Sequence, residues 1–225
     1  MANHGILGRT TPVVLNLIII NTIIFLAQGV MGDRVFDLFA LHHIQSEYFR
    51  PYQLLTHMFM HGSFFHLLFN MFALWMFGCN MERLWGQKKF LIFYFICGFG
   101  AAIAQLINYG FDYAGINPGQ LDPRSYDYIQ QVWRNNATVG ASGAIMGVLA
   151  AFGYTYPNVQ LFIMPIPFPI KAKWAIIGII ALDVFGGFSN TANDNVAHFA
   201  HVGGALIGFL IVWYWNRKNK HWRLM

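Results

Sequence analysis

Long stretches without a charged residue constrain this chain more than any other feature. Crossing about 30 Å of hydrocarbon takes about 20 residues of helix, and five charge-free stretches are at least that long. They run from Arg9 to Asp33, Arg50 to Glu82, Lys89 to Asp112, Arg134 to Lys171 and Asp194 to Arg217. Only 10% of the 225 residues are charged and 56% are hydrophobic, whereas a soluble domain carries roughly 25% charged residues. The pattern therefore predicts a membrane protein.

A sixth apolar stretch, Trp174 to Phe188, is interrupted only by Asp183 and predicts a shorter helix. We therefore predict an all-α, polytopic membrane protein that forms a single domain over residues 1–225. Its core is expected to be a bundle of six transmembrane helices. These helices are predicted near residues 12–28, 54–78, 89–108, 139–156, 173–188 and 197–215. The segments 30–53 and 109–138 are predicted to be long loops, the first interfacial and the second polar.

The distribution of Lys and Arg predicts the orientation, because these residues collect on the cytoplasmic side. With six crossings and a cytoplasmic N-terminus, ten of the 14 Lys and Arg residues lie inside and four outside. The sequence thus predicts that both termini are cytoplasmic. The basic C-terminal tail would then face anionic lipid, so nucleic acid is not needed as a partner to explain the net charge of +5.

Polar residues inside membrane spans are costly and often functional. His66 and Asn70 are four residues apart on one face of the second predicted helix, Ser142 opens the fourth, and His201 opens the sixth. In the predicted topology all of them lie near the outer ends of their helices. A serine needs a base to become a nucleophile, and the oxyanion that forms needs donors. These residues could supply both.

Small residues could bring the fourth and sixth helices close enough. Gly143-x-x-x-Gly147 continues the serine helix, and Gly204-x-x-x-Gly208 continues the histidine helix. The same patterns also fit helix packing alone, and a membrane serine often bonds its own backbone. Each motif by itself is therefore compatible with a purely structural role.

Four strings together resemble the rhomboid family of intramembrane serine proteases, and they occur in the family's order. His61-Gly-Ser-Phe-Phe-His66-Leu-Leu-Phe-Asn70 resembles its His-x4-His-x3-Asn, and Gly140-Ala-Ser142-Gly143 its Gly-x-Ser-Gly. Ala200-His201-Val-Gly-Gly204 resembles its Ala-His-x-x-Gly, and Glu82-Arg-Leu-Trp-Gly86 its Glu-x-x-x-Gly. The resemblance implies six helices and the hydrolysis of peptide bonds in or near transmembrane helices of other membrane proteins.

The resemblance also implies a role for each matching residue. Ser142 would be the nucleophile and His201 its general base, a pair without a carboxylate. His66, Asn70 and the Ser142 backbone N–H would bind the oxyanion. His61 would be a neighbouring structural or water-holding residue, and structural roles are implied for the remaining matched positions Glu82, Gly140, Gly143 and Gly204. A structural role is expected for Gly208 from the packing pattern of the histidine helix.

Several neighbouring features carry expectations of their own. Segment 30–53 would be the family's half-embedded hairpin, whose anchoring is in question because Tyr52-Gln53 stands where many members have Trp-Arg. Segment 189–196 would be a cap over the site. His198 is expected to be structural. Asp183 could pair with a histidine, but a hydrogen bond to neighbouring backbone is the favoured expectation. The expected location is the bacterial cytoplasmic membrane, with the site opening to the extracytoplasmic side.

Two alternatives remain open at this point. The intramembrane histidines, among them the pairs His57/His61 and His198/His201, could ligate a metal or haem. No His-Glu-x-x-His motif accompanies them, and we predict neither a metal nor another cofactor. The second alternative is a catalytically silent rhomboid-like protein that captures transmembrane helices, although such proteins are expected to lose the serine or the histidine.

Overall fold

The computed structural model describes residues 10–163, 167–189 and 197–218, and this part of the chain is mostly helical. A two-residue antiparallel hairpin pairs β1 (Gln160–Leu161) with β2 (Ile170–Lys171). The helices are α1 (Pro12–Met31), α2 (Asp33–Phe39), α3 (Gln53–Thr56), α4 (Phe64–Ala73), α5 (Cys79–Trp85), α6 (Gln87–Asp112), α7 (Pro123–Asn135), α8 (Ser142–Thr155), α9 (Ala172–Ser189) and α10 (His198–Lys218).

Within the described ranges, four helical segments are long and apolar enough to cross a membrane by length and composition: Pro12–Met31, Phe64–Trp85, Gln87–Asp112 and His198–Arg217. The helix α8 is apolar but has only 14 residues, and α9 has 18. Helices therefore occur near all six predicted positions, although their bounds differ from the predicted ones.

The second predicted helix, 54–78, is wrong as a continuous element. The chain forms the short α3, a 3₁₀ turn at His57–Phe59 and an irregular segment before α4 begins at Phe64. Ser63 caps α4 by accepting a hydrogen bond from the His66 N–H at 3.1 Å. A π turn at Leu74–Gly78 then joins α4 to α5, so the membrane segment continues to Trp85. The break before α4 places the two halves of the His-x4-His motif in different local structures.

Glu82 ties the start of α1 to the end of α5. Its carboxylate accepts hydrogen bonds from the backbone N–H groups of Val13 at 3.0 Å and Val14 at 2.9 Å, and from the Thr11 hydroxyl. These N–H groups belong to the first turn of α1, where a helix has no internal acceptors for them. Gly86, at φ 81°, then allows the sharp reversal into α6. This accounts structurally for the Glu-x-x-x-Gly string.

The helices α6, α8 and α10 pack most extensively and form the centre of the molecule. Every residue of α8 from Gly143 to Gly153 is buried. A side chain at Gly204 would overlap the Gly143 carbonyl, and one at Gly208 would overlap the Gly147 carbonyl. The two glycine motifs thus form a backbone contact between α8 and α10, which holds the N-terminal ends of these helices side by side.

The predicted loop 30–53 contains α2 and is anchored by Gln53. This side chain is fully buried, and its amide N–H groups donate to the carbonyls of Tyr48 at 2.8 Å and Leu38 at 3.1 Å. Its carbonyl oxygen accepts from the Arg50 N–H at 3.1 Å. Although Gln53 departs from the common family residue, it supplies an anchor of its own for the hairpin.

The predicted polar loop 109–138 is also not a simple loop, because it forms the 13-residue helix α7. This helix is amphipathic and packs on the hairpin, with the Trp133 ring stacked on His43 at a centroid distance of 4.3 Å. Arg134 donates to both carboxylate oxygens of Asp37, at 2.6 and 3.0 Å. The hydrogen bond to Asp37 raises the pKa of the Arg134 guanidinium, since it stabilises the charged form.

Candidate active site

Ser142 and His201 lie directly against each other. The His201 Nε2 atom is 2.7 Å from the Ser142 Oγ, a hydrogen-bond distance between residues 59 positions apart in the chain. Ser142 is the first residue of α8, and His201 lies in the first turn of α10. The close contact of these helices at Gly143 and Gly204 accounts for the short distance between the two side chains.

The chain approaches Ser142 through an unusual backbone conformation. Gly140 has φ 127°, which favours glycine, and a Cβ at this position would lie 2.8 Å from the His66 Nε2 and Cε1 atoms. The Gly140 N–H donates to the His57 carbonyl at 2.9 Å. Glycine therefore lets the segment before α8 pass directly beneath the His66 ring. A Cβ at Gly140 would also lie 3.4 Å from the Ser142 Oγ, so Gly140 is close to both the His66 ring and the serine hydroxyl.

His66 lies next to this segment, and its hydrogen bonds indicate its tautomer. The Gly62 N–H donates to the His66 Nδ1 at 3.4 Å, so the neutral ring carries its proton on Nε2. Nε2 and Cε1 are the ring atoms nearest to Gly140, which itself lies close to the Ser142 Oγ. His66 can therefore donate a hydrogen bond toward the space beside the Ser142 hydroxyl.

Asn70 lies one turn below His66 and is 7% exposed. Its Nδ2 donates to the His66 carbonyl of the same helix at 3.0 Å. An amide nitrogen carries two hydrogens, so one of them is not used by this bond. The structure therefore places Asn70 beside His66, with its side chain engaged by its own helix.

His61 and His57 lie near the site, but their rings contact residues other than Ser142. The His61 ring is buried and lies edge-on to His66, with a centroid distance of 5.1 Å. Gln28 of α1 holds the His61 backbone through two hydrogen bonds of 3.0 Å each. The His57 ring bonds the Gln53 carbonyl at 2.8 Å. Both residues thus link the site to its surroundings.

The contacts of Asp183 differ from those favoured by the sequence analysis, because its side chain contacts two histidines. Its Oδ1 lies 3.0 Å from the His201 Nδ1 and 2.9 Å from the His198 Nδ1. Bonding to neighbouring backbone was therefore the wrong interpretation, and His201 has a carboxylate beside it. The sequence signal was the single charge in an otherwise apolar helix. It indicated a histidine only as the less favoured partner, since the sequence does not say how α9 and α10 are rotated against each other.

No group of three or more His, Cys, Asp and Glu side chains suited to a metal ion occurs within the described ranges. The suggested His57/His61 pair does not lie on one helix, because His57 is in the 3₁₀ turn and His61 follows it. The Nδ1 atoms of His198 and His201 both face Asp183, and the His201 Nε2 faces Ser142. The expectation that the protein uses no metal remains a prediction for chelation to test. Most of the predicted cap, residues 190–196, lies outside the described residues.

The fold and the site together define an integral membrane protein with a serine–histidine pair between two tightly packed helices. A rhomboid domain matches residues 48–218, and this chain belongs to the rhomboid family. It is 36% identical over 160 residues to the rhomboid protease AarA of Providencia stuartii. It is 30% identical over 156 residues to the mitochondrial rhomboid protein 1 of Saccharomyces cerevisiae. It is 33% identical over 157 residues to the human mitochondrial presenilin-associated rhomboid-like protein.

These alignments cover most of this chain but only part of each relative. They include 68% of this chain and 52% of the Providencia protein, 69% and 39% for the yeast protein, and 69% and 35% for the human protein. The chain thus spans about a third to a half of the length of these relatives. The similarity lies in the membrane domain that contains the Ser142–His201 pair.

Proposed function

We propose that this protein is an intramembrane serine protease that hydrolyses peptide bonds in or near transmembrane helices of other membrane proteins. The observation that carries this proposal is the 2.7 Å contact between the His201 Nε2 and the Ser142 Oγ at the start of a buried helix. Nucleophile and base within hydrogen-bond reach are the signature of an activated serine. Membership of the rhomboid family supports the same conclusion.

In the proposed reaction, His201 takes the Ser142 hydroxyl proton while Oγ attacks the carbonyl carbon of the scissile bond. The carbonyl oxygen becomes an oxyanion, which accepts hydrogen bonds from the Ser142 backbone N–H, the His66 Nε2–H and the Asn70 amide. His201 then protonates the leaving amine as the C–N bond breaks. A water molecule then attacks the acyl-serine while His201 takes its proton. The bond between the acyl carbon and Oγ breaks, and His201 passes the proton to Oγ, which releases the second product and restores the Ser142 hydroxyl.

The expected substrates follow from the physics of a helix in lipid. Peptide groups of a transmembrane helix are paired within the helix, and hydrocarbon offers no replacement partners. The substrate must therefore unwind locally before Ser142 can reach a carbonyl carbon. We expect cleavage near the outer end of substrate helices, in segments with Gly or other weak helix formers.

The proposed orientation places both termini on the cytoplasmic side, with six crossings and the site open to the extracytoplasmic side. It rests on the distribution of Lys and Arg along the sequence. The proposed compartment is the bacterial cytoplasmic membrane. The Providencia relative is bacterial, whereas the yeast and human relatives carry mitochondrial names.

Labelling with a fluorophosphonate tests the proposal in the detergent-solubilised protein. The wild type should form a covalent adduct, whereas Ser142→Ala and His201→Ala should not, because the adduct needs both nucleophile and base. Ser125→Ala, which removes an exposed hydroxyl that bonds Asp122 in α7, is the matched control and should label like the wild type.

Equal labelling of Ser142→Ala would contradict the assignment of the nucleophile. The same preparations should cleave a transmembrane substrate, and a chelator should leave the rate unchanged. Loss of cleavage in EDTA with recovery in zinc would instead support the metal alternative. Capture of substrate by both wild type and Ser142→Ala, without cleavage by either, would support the silent binding protein.

A further inference from the structure

We infer that Asp183 is a positioning residue for His201, so that the site works as a Ser142–His201–Asp183 triad. The inference rests on the proposed function and extends it, because the family resemblance implied a pair without a carboxylate. The evidence is an unbroken line of contacts from the carboxylate to the serine. Asp183 Oδ1 lies 3.0 Å from the His201 Nδ1, and the His201 Nε2 lies 2.7 Å from the Ser142 Oγ.

The carboxylate determines which ring nitrogen of His201 carries the proton. An ionised carboxylate only accepts hydrogen bonds, so the facing Nδ1 must be the donor. The neutral imidazole then has its lone pair on Nε2, the atom that faces the Ser142 hydroxyl. This is the tautomer that a general base needs. Without Asp183, the opposite tautomer would also be populated, and it cannot accept the serine proton.

The same contact supports the second half of the proton transfer. When His201 accepts the Ser142 proton, its ring becomes a cation 3.0 Å from the carboxylate. The side chains of Asp183 and His201 are 11% and 17% exposed, so water screens this attraction weakly. Asp183 therefore stabilises the charged form of the base as the tetrahedral intermediate forms, without itself exchanging a proton.

The surrounding residues hold Asp183 in this orientation. The His198 Nδ1 lies 2.9 Å from the same oxygen, Oδ1, one turn before His201 on α10. A Cβ at Gly186 of α9 would overlap the His198 ring, so the glycine leaves room for that ring against the helix. Two imidazoles from α10 thus converge on one carboxylate from α9. The bond to His198 alone would suffice to link α9 to α10, whereas the additional contact with the His201 Nδ1 places the carboxylate on the proposed base.

The test measures kcat and KM on a transmembrane substrate, the fluorophosphonate labelling rate and the melting temperature in detergent. The main variant is Asp183→Asn, which keeps the shape of the side chain but removes its charge. We expect kcat and the labelling rate to fall together by at least about 10-fold, with the roughly 10⁴-fold loss seen on replacing the acidic member of a soluble triad as the upper end. KM should change by less than about 3-fold and the melting temperature by little, because shape and most packing remain.

Asn21→Ala is the matched control. Asn21 is a fully buried polar residue of α1 whose amide donates to the Leu17 carbonyl of its own helix at 2.7 Å. Its loss should lower the melting temperature without a comparable fall in kcat or in the labelling rate. The comparison separates a general loss of stability from a specific loss of base function.

The inference is overturned if Asp183→Asn retains kcat and labelling within about 3-fold of the wild type. It is also overturned if kcat and the labelling rate fall no more than they do in Asn21→Ala at the same loss of melting temperature. That result is expected for a purely structural contact. Either result would leave Ser142 and His201 in their proposed roles. Failure of the proposed function looks different, because the wild type itself would then neither cleave nor label.

Discussion

Asn70 is the residue at which the proposed chemistry and a purely structural role can be separated most directly. If its amide binds the oxyanion only as that charge forms, Asn70→Ala should lower kcat by about 10- to 1,000-fold with a smaller rise in KM. Folding should be nearly intact, because the bond lost is a local one to the His66 carbonyl. Steady-state cleavage of a transmembrane substrate and a thermal melt measure the two effects.

Asn80→Ala is the matched control for this prediction. Asn80 lies on the continuation of the same membrane segment, and its amide donates to the Met76 carbonyl four residues earlier at 2.6 Å. The two asparagines thus make the same kind of bond, about 15 Å apart along the helix. Full kcat in Asn70→Ala, or equal losses in both variants, would assign Asn70 to helix packing alone.

At this scale, the sequence identified the polar residues of the site but not all of their partners. Ser142, His201, His66 and Asn70 were predicted from polarity, helical spacing and common depth. The structure brings Ser142, His201 and His66 together, and Asn70 joins them through its bond to the His66 carbonyl. A histidine partner for Asp183 was only the less favoured of two interpretations, and the sequence did not identify the two histidines that it contacts. A polar residue in an apolar helix indicates that a partner exists, whereas the identity of that partner depends on how the helices are rotated against each other.

At the scale of elements, Gln53 is the residue on which the hairpin depends most. Gln53→Leu keeps a similar volume but leaves the backbone groups of Leu38, Tyr48 and Arg50 without their buried partner. An unsatisfied buried group costs about 1–3 kcal/mol. We expect a lower melting temperature and faster proteolysis between residues 37 and 50.

The exposed Gln45 of the same hairpin offers the control. Gln45→Leu introduces the same side chain at a position where little is buried, so the melting temperature and the cleavage pattern should stay close to those of the wild type. If Gln53→Leu melted no earlier than Gln45→Leu, the hydrogen bonds of Gln53 would not be what anchors the hairpin.

The observed bounds of the helices show why hydropathy alone does not predict where each helix begins and ends. Absence of charge predicted one helix over 54–78, yet the chain breaks before Phe64 because Ser63 caps a new helix there. A serine before an apolar run was a signal in the sequence that could have located this start. The helix α7 was missed for a different reason. Its buried face packs on the hairpin, a surface that exists only after folding.

The orientation of the whole molecule can be tested with single cysteines in a background lacking Cys79 and Cys97. Positions near 120 and 192 should react with a membrane-impermeant thiol reagent added outside, whereas positions near 87 and 220 should not. The expected pattern follows from the ten Lys and Arg residues assigned to the inner side. Reversed reactivity would place Ser142 toward the cytoplasm and contradict the proposed location of the site.

The length of α8 has a consequence for where a substrate would be cut. Its 14 residues extend only about 21 Å, roughly 9 Å less than the hydrocarbon thickness. In the proposed topology the last turn of α8 lies at the inner boundary of the hydrocarbon. Ser142, at the other end of α8, then lies about 9 Å beneath the outer boundary. A substrate helix rises about 1.5 Å per residue. The scissile bond would then fall about six residues inside the substrate's own span if the residues above it stay helical, and about three residues inside if they are unwound to the extended rise of about 3.3 Å per residue. In either case the depth of the cut is set by the enzyme.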